Sequence, residues 1–444
     1  MNTWRNARMT VRVAIVGSGP SGFYTADALL RSDGDYEIDI IDRLPTPFGL
    51  IRAGVAPDHQ KTKNVSRAYE KTALNEKVTY FGNVDIGKDV SVDELQSLYD
   101  AVVLAIGSPY DRKLGVPGED KKGVFGSADF VGWYNGHPDF RDLEPDLDTD
   151  AVVVIGVGNV AIDCARVLVK TPDEMSDTDI ATHAADAIQA SPLKDVYMIG
   201  RRGPIDAKFT NVELREMGEL KNCTPIINGS VIPDEVPEDM KMSDRDRRLK
   251  DRNLGTLKSF VDAAPEGREK RVHFQFFASP VEVLGGDSVE GIRMEINEVR
   301  DGRAVGTGET YDIPCGIVIP AIGYQGQPLG GVPFDDWNGV IKNDEGRVSD
   351  GLYAVGWIRR GPTGVIGTNK HDGDRAAEQI QKDCSDGGKA GHAGLTALLG
   401  DKGVRWVDYA GWQQIDEAEK SAAPEGAPRR KLTRISEMLA VLDG

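Results

Sequence analysis

Val11-Arg-Val-Ala-Ile-Val-Gly-Ser-Gly-Pro-Ser-Gly22 is the stretch that decides the fold of this chain. Its first six residues are mostly apolar, as in a buried strand, and its three glycines precede a helical pattern that runs through Leu30. In a dinucleotide-binding fold, Gly17 permits the tight turn, Gly19 lets the backbone approach a pyrophosphate, and Gly22 lets helix and strand pack closely. The phosphates then lie at the N-terminus of the helix. The stretch therefore predicts a dinucleotide site.

A second apolar stretch completes this first unit. It runs from Tyr36 to Ile41 and ends in Asp42, about 20 residues beyond Gly22, where such folds place the acid that binds a ribose hydroxyl. The fingerprint thus follows a strand, opens a helix and has its acid in place. The other interpretation, a glycine turn that serves only backbone geometry, stays open.

The same pattern repeats later in the chain. Ala151-Val-Val-Val-Ile155 predicts a strand, Gly156-Val-Gly158-Asn-Val-Ala161 predicts a turn, and Ile162 to Val169 predicts a helix. Two such units predict two bound dinucleotides.

The strand after the second unit, Val196 to Ile199, leads to Arg201 and Arg202 instead of an acid. An acid would repel a ribose 2′-phosphate, whereas guanidinium groups bind phosphate through paired, charge-assisted hydrogen bonds. This substitution favours NADPH over NADH. A solvated pair of arginines at a strand end is the alternative.

Two further strands each end in glycine, at Ala101–Gly107 and Gly316–Gly323, and the second unit lies between them. The sequence therefore predicts an α/β protein with two doubly wound, Rossmann-like dinucleotide-binding domains. The NADP-binding domain, 110–319, is expected to be inserted into a discontinuous FAD-binding domain formed by 1–109 and 320–444 with its tail.

The composition is that of an ordinary globular protein. With 444 residues, the chain exceeds the roughly 250–300 residues at which a single core stops growing. Hydrophobic residues make up 40% and charged residues 28%, and no apolar run reaches the roughly 18 residues of a membrane span. Met1 to Thr10 lacks the apolar stretch of a signal peptide, which predicts a cytoplasmic protein. A net charge of -18 disfavours nucleic acid as a partner.

The four cysteines, Cys164, Cys223, Cys315 and Cys384, form no Cys-x-x-Cys pair. This spacing excludes the usual dithiol and iron-sulfur patterns, so no bound metal is expected. A role like that of thioredoxin reductase is also disfavoured, because a reduced flavin would have no adjacent dithiol to receive its electrons.

Several longer motifs resemble one family, the adrenodoxin-reductase-like ferredoxin-NADP reductases. They are far more specific than the glycine fingerprints and span nearly the whole chain: Pro47–His59, Phe130–Gly136, Gly200–Pro204, Phe209-Thr210, Glu213–Glu216 and Trp357–Ile366. The resemblance implies a ferredoxin-NADP reductase with FAD and NADPH as cofactors and a ferredoxin-type iron-sulfur protein as partner.

The resemblance also implies site residues. Those of the FAD site are Ser18, Asp42, Leu50 and Val84, and those that resemble the family's flavin and nicotinamide contacts are Trp357, Gly364, Val365 and Ile366. Those of the NADP site are Arg112, Asn159, Val160, Ala161, Arg201, Arg202 and Glu213. The family commonly has glutamate where Asp42 stands, so this acid is one methylene shorter.

His59 lies in the motif most typical of the family, and a neutral imidazole near the flavin could shuttle a proton, supported by Glu213 or Glu216. The alternatives are a hydrogen-bonded loop histidine and a glutamate that forms only a surface ion pair. The flavin would take a hydride from the nicotinamide and release its electrons singly, which favours a one-electron partner.

The segment Lys241–Arg271 contains ten Lys or Arg against six Asp or Glu, a local excess of positive charge in an acidic chain. Such an inversion suits an acidic ferredoxin, because complementary patches speed and orient the encounter. The residues expected to help dock the partner are Arg245, Arg247, Arg248 and Lys250. A solvated helix face is the alternative.

Three other functions stay open. An NADPH-dependent flavin reductase or diaphorase would act on quinones or small acceptors. An electron-input subunit of a larger complex, similar to the small subunit of glutamate synthase, would carry cluster-binding cysteines near its N-terminus, and none precedes Cys164. The third is a catalytically silent FAD-binding protein.

Overall fold

The computed structural model describes residues 10–261, 267–384 and 387–444. The chain divides into two compact units. The first runs to Tyr110 and resumes over Tyr324–Pro424 and Pro428–Gly444, and the second is Asp111–Gly323 with Glu425–Ala427. The second unit is thus inserted in the chain between two parts of the first, as the sequence predicts. The segment on which the absence of a signal peptide was judged lies, except for Thr10, outside the described residues.

The strands alternate with helices in the order expected of βαβ units. In chain order they are β1 Val11–Val16, β2 Tyr36–Ile41, β3 Val78–Phe81, β4 Ala101–Leu104, β5 Tyr110–Asp111, β6 Ala151–Ile155, β7 Asp195–Ile199, β8 Cys223–Asn228, β9 Lys270–Gln275, β10 Ala278–Leu284, β11 Gly291–Arg300, β12 Arg303–Pro314, β13 Ile317–Pro320, β14 Tyr324–Gln325, β15 Phe334–Asp335, β16 Val340–Ile341, β17 Arg347–Ser349 and β18 Leu352–Ala354.

The helices vary from single turns to the 18 residues of the longest one. They are α1 Pro20–Arg31, α2 Leu50–Ala53, α3 Gln60–Lys63, α4 Ser66–Ala73, α5 Val92–Leu98, α6 Ser127–Asn135, α7 Asn159–Val169, α8 Pro172–Met175, α9 Thr182–Ala190, α10 Asn211–Glu216, α11 Asp244–Val261, α12 Trp357–Arg360, α13 Thr368–Asp383, α14 His392–Asp401, α15 Tyr409–Ser421 and α16 Ile435–Ala440. Short 3-10 turns cover Pro138–Phe140, Pro204–Asp206 and Val441–Asp443.

The first unit is built on a six-stranded sheet in the order β17-β18-β4-β1-β2-β3. Its strands are parallel except for the pair β17 and β18. β4 is apolar along its length, and β1 is apolar except for Arg12. Helices cover both faces of the sheet, and two hydrophobic clusters lie on its two sides. β18 comes from the later part of the chain, so neither part of the chain completes this sheet alone.

The second unit contains a five-stranded parallel sheet in the order β13-β6-β7-β9-β8. Its main core packs α7 and the neighbouring helices against one face. An antiparallel sheet of β10, β11 and β12 contributes to a smaller core on the other side. Both units are therefore layered α/β structures, as the repeated sequence pattern predicts.

The element boundaries differ from the expected ones in two places that matter for the sites. The helix predicted to begin at Ile162 begins at Asn159, directly after Gly158. The apolar run Gly351–Trp357 predicts a strand through Trp357, but the strand ends at Ala354, and Trp357 is instead the first residue of the short helix α12. The left-handed φ of 71° at Gly356 breaks the strand at this point.

In the part of the chain that the structure describes, we find no helix with the length and apolarity that a membrane span requires.

Asp111, the first residue of the second unit, caps the helix α6, which begins later in the chain at Ser127. Its carboxylate accepts hydrogen bonds from Ser127 Oγ at 2.8 Å and from the backbone N–H of Ala128 at 2.7 Å. Gly126, the N-cap residue of α6, has no capping side chain of its own. Burial raises the pKa of Asp111 to about 6, although these two hydrogen bonds oppose the shift.

We predict that the Asp111→Asn substitution changes the pH dependence of stability. Because the pKa of Asp111 is raised on folding, its stabilising contribution is full at low pH and is lost as pH rises through about 6. Between pH 5.5 and 7.5, the free energy of unfolding of the variant should rise by about 1 kcal/mol relative to that of the wild type. Urea denaturation at both pH values measures this difference, and an unchanged difference contradicts the prediction.

Candidate dinucleotide sites

The first glycine turn joins β1 to α1. At two of its positions any side chain would clash with the backbone. A Cβ added to Gly17, which has a φ of 111°, would lie 2.5 Å from the carbonyl oxygen of Ala105. A Cβ on Gly22 would lie 2.0 Å from the carbonyl oxygen of Gly17. At Gly19, by contrast, a Cβ would meet nothing within 4 Å. Gly19 is also the N-cap of α1 without a capping side chain, so this helix start is open to an anion.

Asp42, the predicted ribose-binding acid, follows β2 and lies against this turn. Its carboxylate accepts hydrogen bonds from the backbone N–H of Ser18 at 2.9 Å, from the Ser18 hydroxyl and from the N–H of Leu44 at 3.0 Å. These bonds fix the carboxylate beside the glycine turn. The structure thus brings these two predicted site residues, Ser18 and Asp42, together.

The second glycine turn repeats this construction. A Cβ on Gly156, with a φ of 149°, would lie 2.4 Å from the carbonyl oxygen of Ala321, whereas a Cβ on Gly158 would meet nothing within 4 Å. Gly158 is the uncapped N-cap of α7. The third position of the fingerprint is Ala161, whose side chain is fully buried. Asn159 accepts a hydrogen bond from the N–H of Thr210 at 2.8 Å.

The remaining NADP-side residues lie around this turn or at the limits of the second unit. Val160 packs partly buried against the main core. The backbone N–H of Arg112 donates to the carbonyl of Gly323 at 2.9 Å, which ties the two ends of the unit together. Arg201 is exposed after β7, and Arg202 forms an ion pair with Asp206 at 3.1 Å.

The flavin-side residues fall into two classes. The side chain of Leu50, the first residue of α2, is 46% exposed and is available to a ligand. Val84 is fully buried in the core, so its side chain is not available and only its backbone could meet a ligand.

The segment after α12 holds the other flavin-side residues. The Trp357 ring lies 5.9 Å from the ring of Tyr324. Gly364 has a φ of 85°, Val365 is 70% exposed, and Ile366 packs against a hydrophobic cluster.

A buried charge network holds this segment. Asp372, which is buried on α13, accepts hydrogen bonds from Arg359 at 2.7 Å and from Arg360 at 2.8 Å. Arg360 also donates to Asn369 Oδ1 at 3.0 Å and to the carbonyl of Thr363. The guanidinium of Arg360 therefore links the glycine-rich segment to α13.

The three predicted catalytic residues belong to different units. His59 precedes α3 in the first unit, and its backbone N–H donates to the carbonyl of Ala56 at 3.0 Å. Glu213 and Glu216 lie on or at the end of α10 in the second unit. The expected meeting of the histidine with a glutamate stays a prediction.

Arg166 is a site residue that sequence reasoning missed. It is fully buried on α7, and its guanidinium lies 2.8 Å from Asp163, 3.3 Å from Glu213 and 3.6 Å from Glu216. A buried arginine is tolerable only when carboxylates neutralise it. Arg166 therefore holds both predicted catalytic carboxylates. The sequence signal is the pair of opposite charges, Asp163 and Arg166, three residues apart in the otherwise apolar stretch Ile162–Val169.

The C-terminal tail, which has no recognisable motif, contributes a second buried ion pair. Glu419 on α15 is fully buried and forms a two-fold ion pair with Arg52 of the motif Pro47–His59. Arg429 lies 3.2 Å from the same carboxylate. Burial would raise the pKa of Glu419, but the charge and hydrogen bonds of Arg52 outweigh it, and the pKa is lowered. The tail thereby anchors the loop that carries the most specific motif.

Comparison with known proteins agrees with this arrangement. The family model described as pyridine nucleotide-disulphide oxidoreductase matches residues 11–202. The mitochondrial NADPH:adrenodoxin oxidoreductase of Arabidopsis thaliana is 42% identical over 97% of this chain and 95% of that protein. The NADPH-ferredoxin reductase FprA of Mycobacterium tuberculosis (strain CDC 1551 / Oshkosh) is 41% identical over 97% of this chain and 98% of that protein. The chain belongs to the adrenodoxin-reductase-like NADPH-ferredoxin reductases.

A solved structure of this family, Mycobacterium tuberculosis FprA in complex with NADPH, superposes with a TM-score of 0.93 at 40% identity. The match covers 98% of this chain and all of that chain. The predicted family, the fold of two dinucleotide-binding domains and the assignment to the oxidoreductases are therefore confirmed.

We predict that Arg166→Leu destabilises the second unit by about 3 kcal/mol, because it leaves three partly buried carboxylates without their counter-charge. The matched control is Glu216→Gln, which removes the longest and most exposed of the three pairs and should cost less than about 1 kcal/mol. Urea denaturation followed by far-UV circular dichroism measures both. Equal stability of Arg166→Leu and the wild type contradicts the assigned role of Arg166.

Proposed function

We propose that this enzyme is a ferredoxin-NADP reductase that transfers electrons between NADPH and a ferredoxin-type iron-sulfur protein. FAD and NADP(H) are its cofactors, and FAD would supply the exchange between hydride transfer and single-electron transfer when bound. The observation that carries the proposal is the pair of open helix starts, at Gly19 and Gly158, in a family whose relatives are named for this reaction. A cytoplasmic location remains a proposal that rests on the sequence.

We assign FAD to the first unit. The uncapped start of α1 would receive its pyrophosphate, and Asp42, held by Ser18, would accept a hydrogen bond from its ribose. Leu50, the backbone of Val84, and the segment from Trp357 through Gly364, Val365 and Ile366 would line the flavin.

We assign NADP(H) to the second unit. The start of α7 at Gly158, with Asn159, Val160 and Ala161, would bind the pyrophosphate. Arg201 and Arg202 would bind the 2′-phosphate as cations, and Arg112 and Glu213 complete the proposed set.

We assign His59 the role of holding or moving a proton near the flavin. Glu213 and Glu216 would support it as carboxylates whose position and charge Arg166 holds. Arg166 is the counter-charge of both glutamates, so it fixes where their carboxylates lie.

The test of the overall proposal is a comparison of electron acceptors. With saturating NADPH, the rate with a ferredoxin should exceed the rate with a small quinone at the same concentration. A higher rate with the quinone would favour a diaphorase instead. If NADPH does not bleach the flavin at all, the protein is not a reductase.

We predict that anaerobic titration of the yellow protein requires at least about tenfold less NADPH than NADH for the same bleaching of the flavin. Arg201→Ala and Arg202→Ala should each weaken the response to NADPH and leave that to NADH unchanged, because only NADPH carries the 2′-phosphate. Lys194→Ala, which removes an exposed cation paired with Asp150, is the control. Equal use of both nucleotides by the wild type contradicts the assignment.

Of the four residues predicted to dock the partner, only those on the exposed face of α11 have side chains available for binding. Arg247 donates to the carbonyls of Val236, Pro237, Glu238 and Met240, and Lys250 donates to the carbonyl of Ile205. Both side chains are thus occupied in holding the backbone. Arg245 and Arg248, three residues apart on one helix face, are exposed. Part of the basic segment, 262–266, lies outside the described residues.

We predict that Arg245→Glu and Arg248→Glu each raise the KM for an acidic ferredoxin about tenfold at low ionic strength, with a smaller effect at high salt. Lys88→Glu, an equal charge change at an exposed residue of the first unit, is the control. The flavin-reduction rate with NADPH should stay unchanged in all three. Ferredoxin kinetics that are unaltered at low salt contradict the docking surface.

A further inference from the structure

The turn that carries Arg201 and Arg202 is held by an unusual set of hydrogen bonds. The carbonyl oxygens of Gly200, Arg201 and Arg202 each accept one hydrogen bond. The donors lie on β10, on β11 and at the residue before β10. The N–H of Ala278 donates to Gly200 at 3.1 Å, and the N–H of Phe277 donates to Arg202 at 3.2 Å. The middle carbonyl, that of Arg201, is bound by a side chain.

Asn297 supplies this middle bond. Its Nδ2 donates to the carbonyl of Arg201 at 2.9 Å and to Ser279 Oγ at 2.7 Å. Its own N–H donates to the carbonyl of Phe277 at 2.7 Å. The side chain is only 6% exposed, and it lies where the register between β11 and β12 shifts. A bulge of this kind re-aims a side chain out of the regular ladder.

We propose that Asn297 is a positioning residue for the choice of NADPH over NADH. This proposal rests on the assignment of the 2′-phosphate to Arg201 and Arg202. In the described part of the chain Arg201 forms no ion pair, whereas Arg202 forms one with Asp206. Arg201 is therefore the cation better able to bind a phosphate, and its backbone depends on Asn297. Without that bond the peptide of Arg201 is no longer held in place, so the position of the Arg201 guanidinium is no longer fixed.

The neighbouring contacts make this anchor specific to the turn. Phe277 has a left-handed φ of 58°, and a Cβ on Gly203 would lie 2.7 Å from its ring. The other side of the turn is held by the bond from Arg202 to the carbonyl of Gly302 at 3.1 Å. These contacts do not involve the carbonyl of Arg201, so loss of Asn297 should free one peptide without unfolding the turn.

The test is steady-state kinetics of the holoenzyme with ferricyanide as acceptor. Asn297→Ala should raise the KM for NADPH about tenfold, because a displaced guanidinium meets the phosphate poorly, and should leave kcat and the KM for NADH within about twofold. Ser279→Ala, which removes the other acceptor of Asn297 but keeps its bond to Arg201, should leave the preference intact. Asn297→Ser, which keeps a polar group in the buried site but cannot span to the carbonyl, should behave like Asn297→Ala.

Calorimetric binding of 2′,5′-ADP and 5′-AMP provides a second readout. Asn297→Ala should weaken binding of 2′,5′-ADP only, because 5′-AMP lacks the 2′-phosphate. Equal losses for both ligands, or for NADPH and NADH alike, would show a merely structural role and overturn the proposal, as would no loss at all. If the wild type uses NADPH and NADH equally, the proposed function itself fails, and if Arg201→Ala leaves the wild-type preference unchanged, the assignment of the 2′-phosphate to Arg201 fails. If Arg201→Ala abolishes the preference and Asn297→Ala does not, only the positioning role fails.

Discussion

Both units depend on one steric constraint, a glycine that lies against a backbone carbonyl. The position of a Cβ on Gly17 is 2.5 Å from the oxygen of Ala105, and that on Gly156 is 2.4 Å from the oxygen of Ala321. In each unit this oxygen directly follows the strand paired with the strand before the glycine. The close approach fixes strand, turn and helix start together. It also leaves the first N–H groups of the helix uncovered, so the contact that builds the fold builds the anion site as well.

The features that the sequence predicts are those set by neighbouring residues. The strand, glycine turn and helix of each unit are local, and so is the place of Asp42 directly after the strand Tyr36–Ile41. The repeat of the pattern was enough to predict an inserted domain. The strand predicted for Gly351–Trp357 was too long, because a short run of apolar residues is compatible with a strand and with a helix. Only the backbone conformation at Gly356 decides between them.

The features that the sequence does not predict are set by distant residues. In the sequence alone Arg166 cannot be told from a surface arginine, because its partner Glu213 lies 47 residues away. Glu419 and Arg52 are separated by 367 residues, and only the folded chain shows that Glu419 is buried and that Arg52 pairs with it. A local excess of charge is equally ambiguous: Arg247 belongs to a basic segment but bonds to backbone carbonyls. Buried ion pairs and exposed charges look alike until burial is known.

The insertion also sets the order in which the chain matures on the ribosome. The sheet of the first unit pairs β4 with β18, and β18 is synthesised only after residues 111–323, which form nearly all of the second unit. Because domains fold as units during synthesis, the inserted domain reaches its native state first. Until translation nears its end, the apolar strands β1 to β4 carry an unpaired edge, which is the kind of surface that chaperones protect from aggregation.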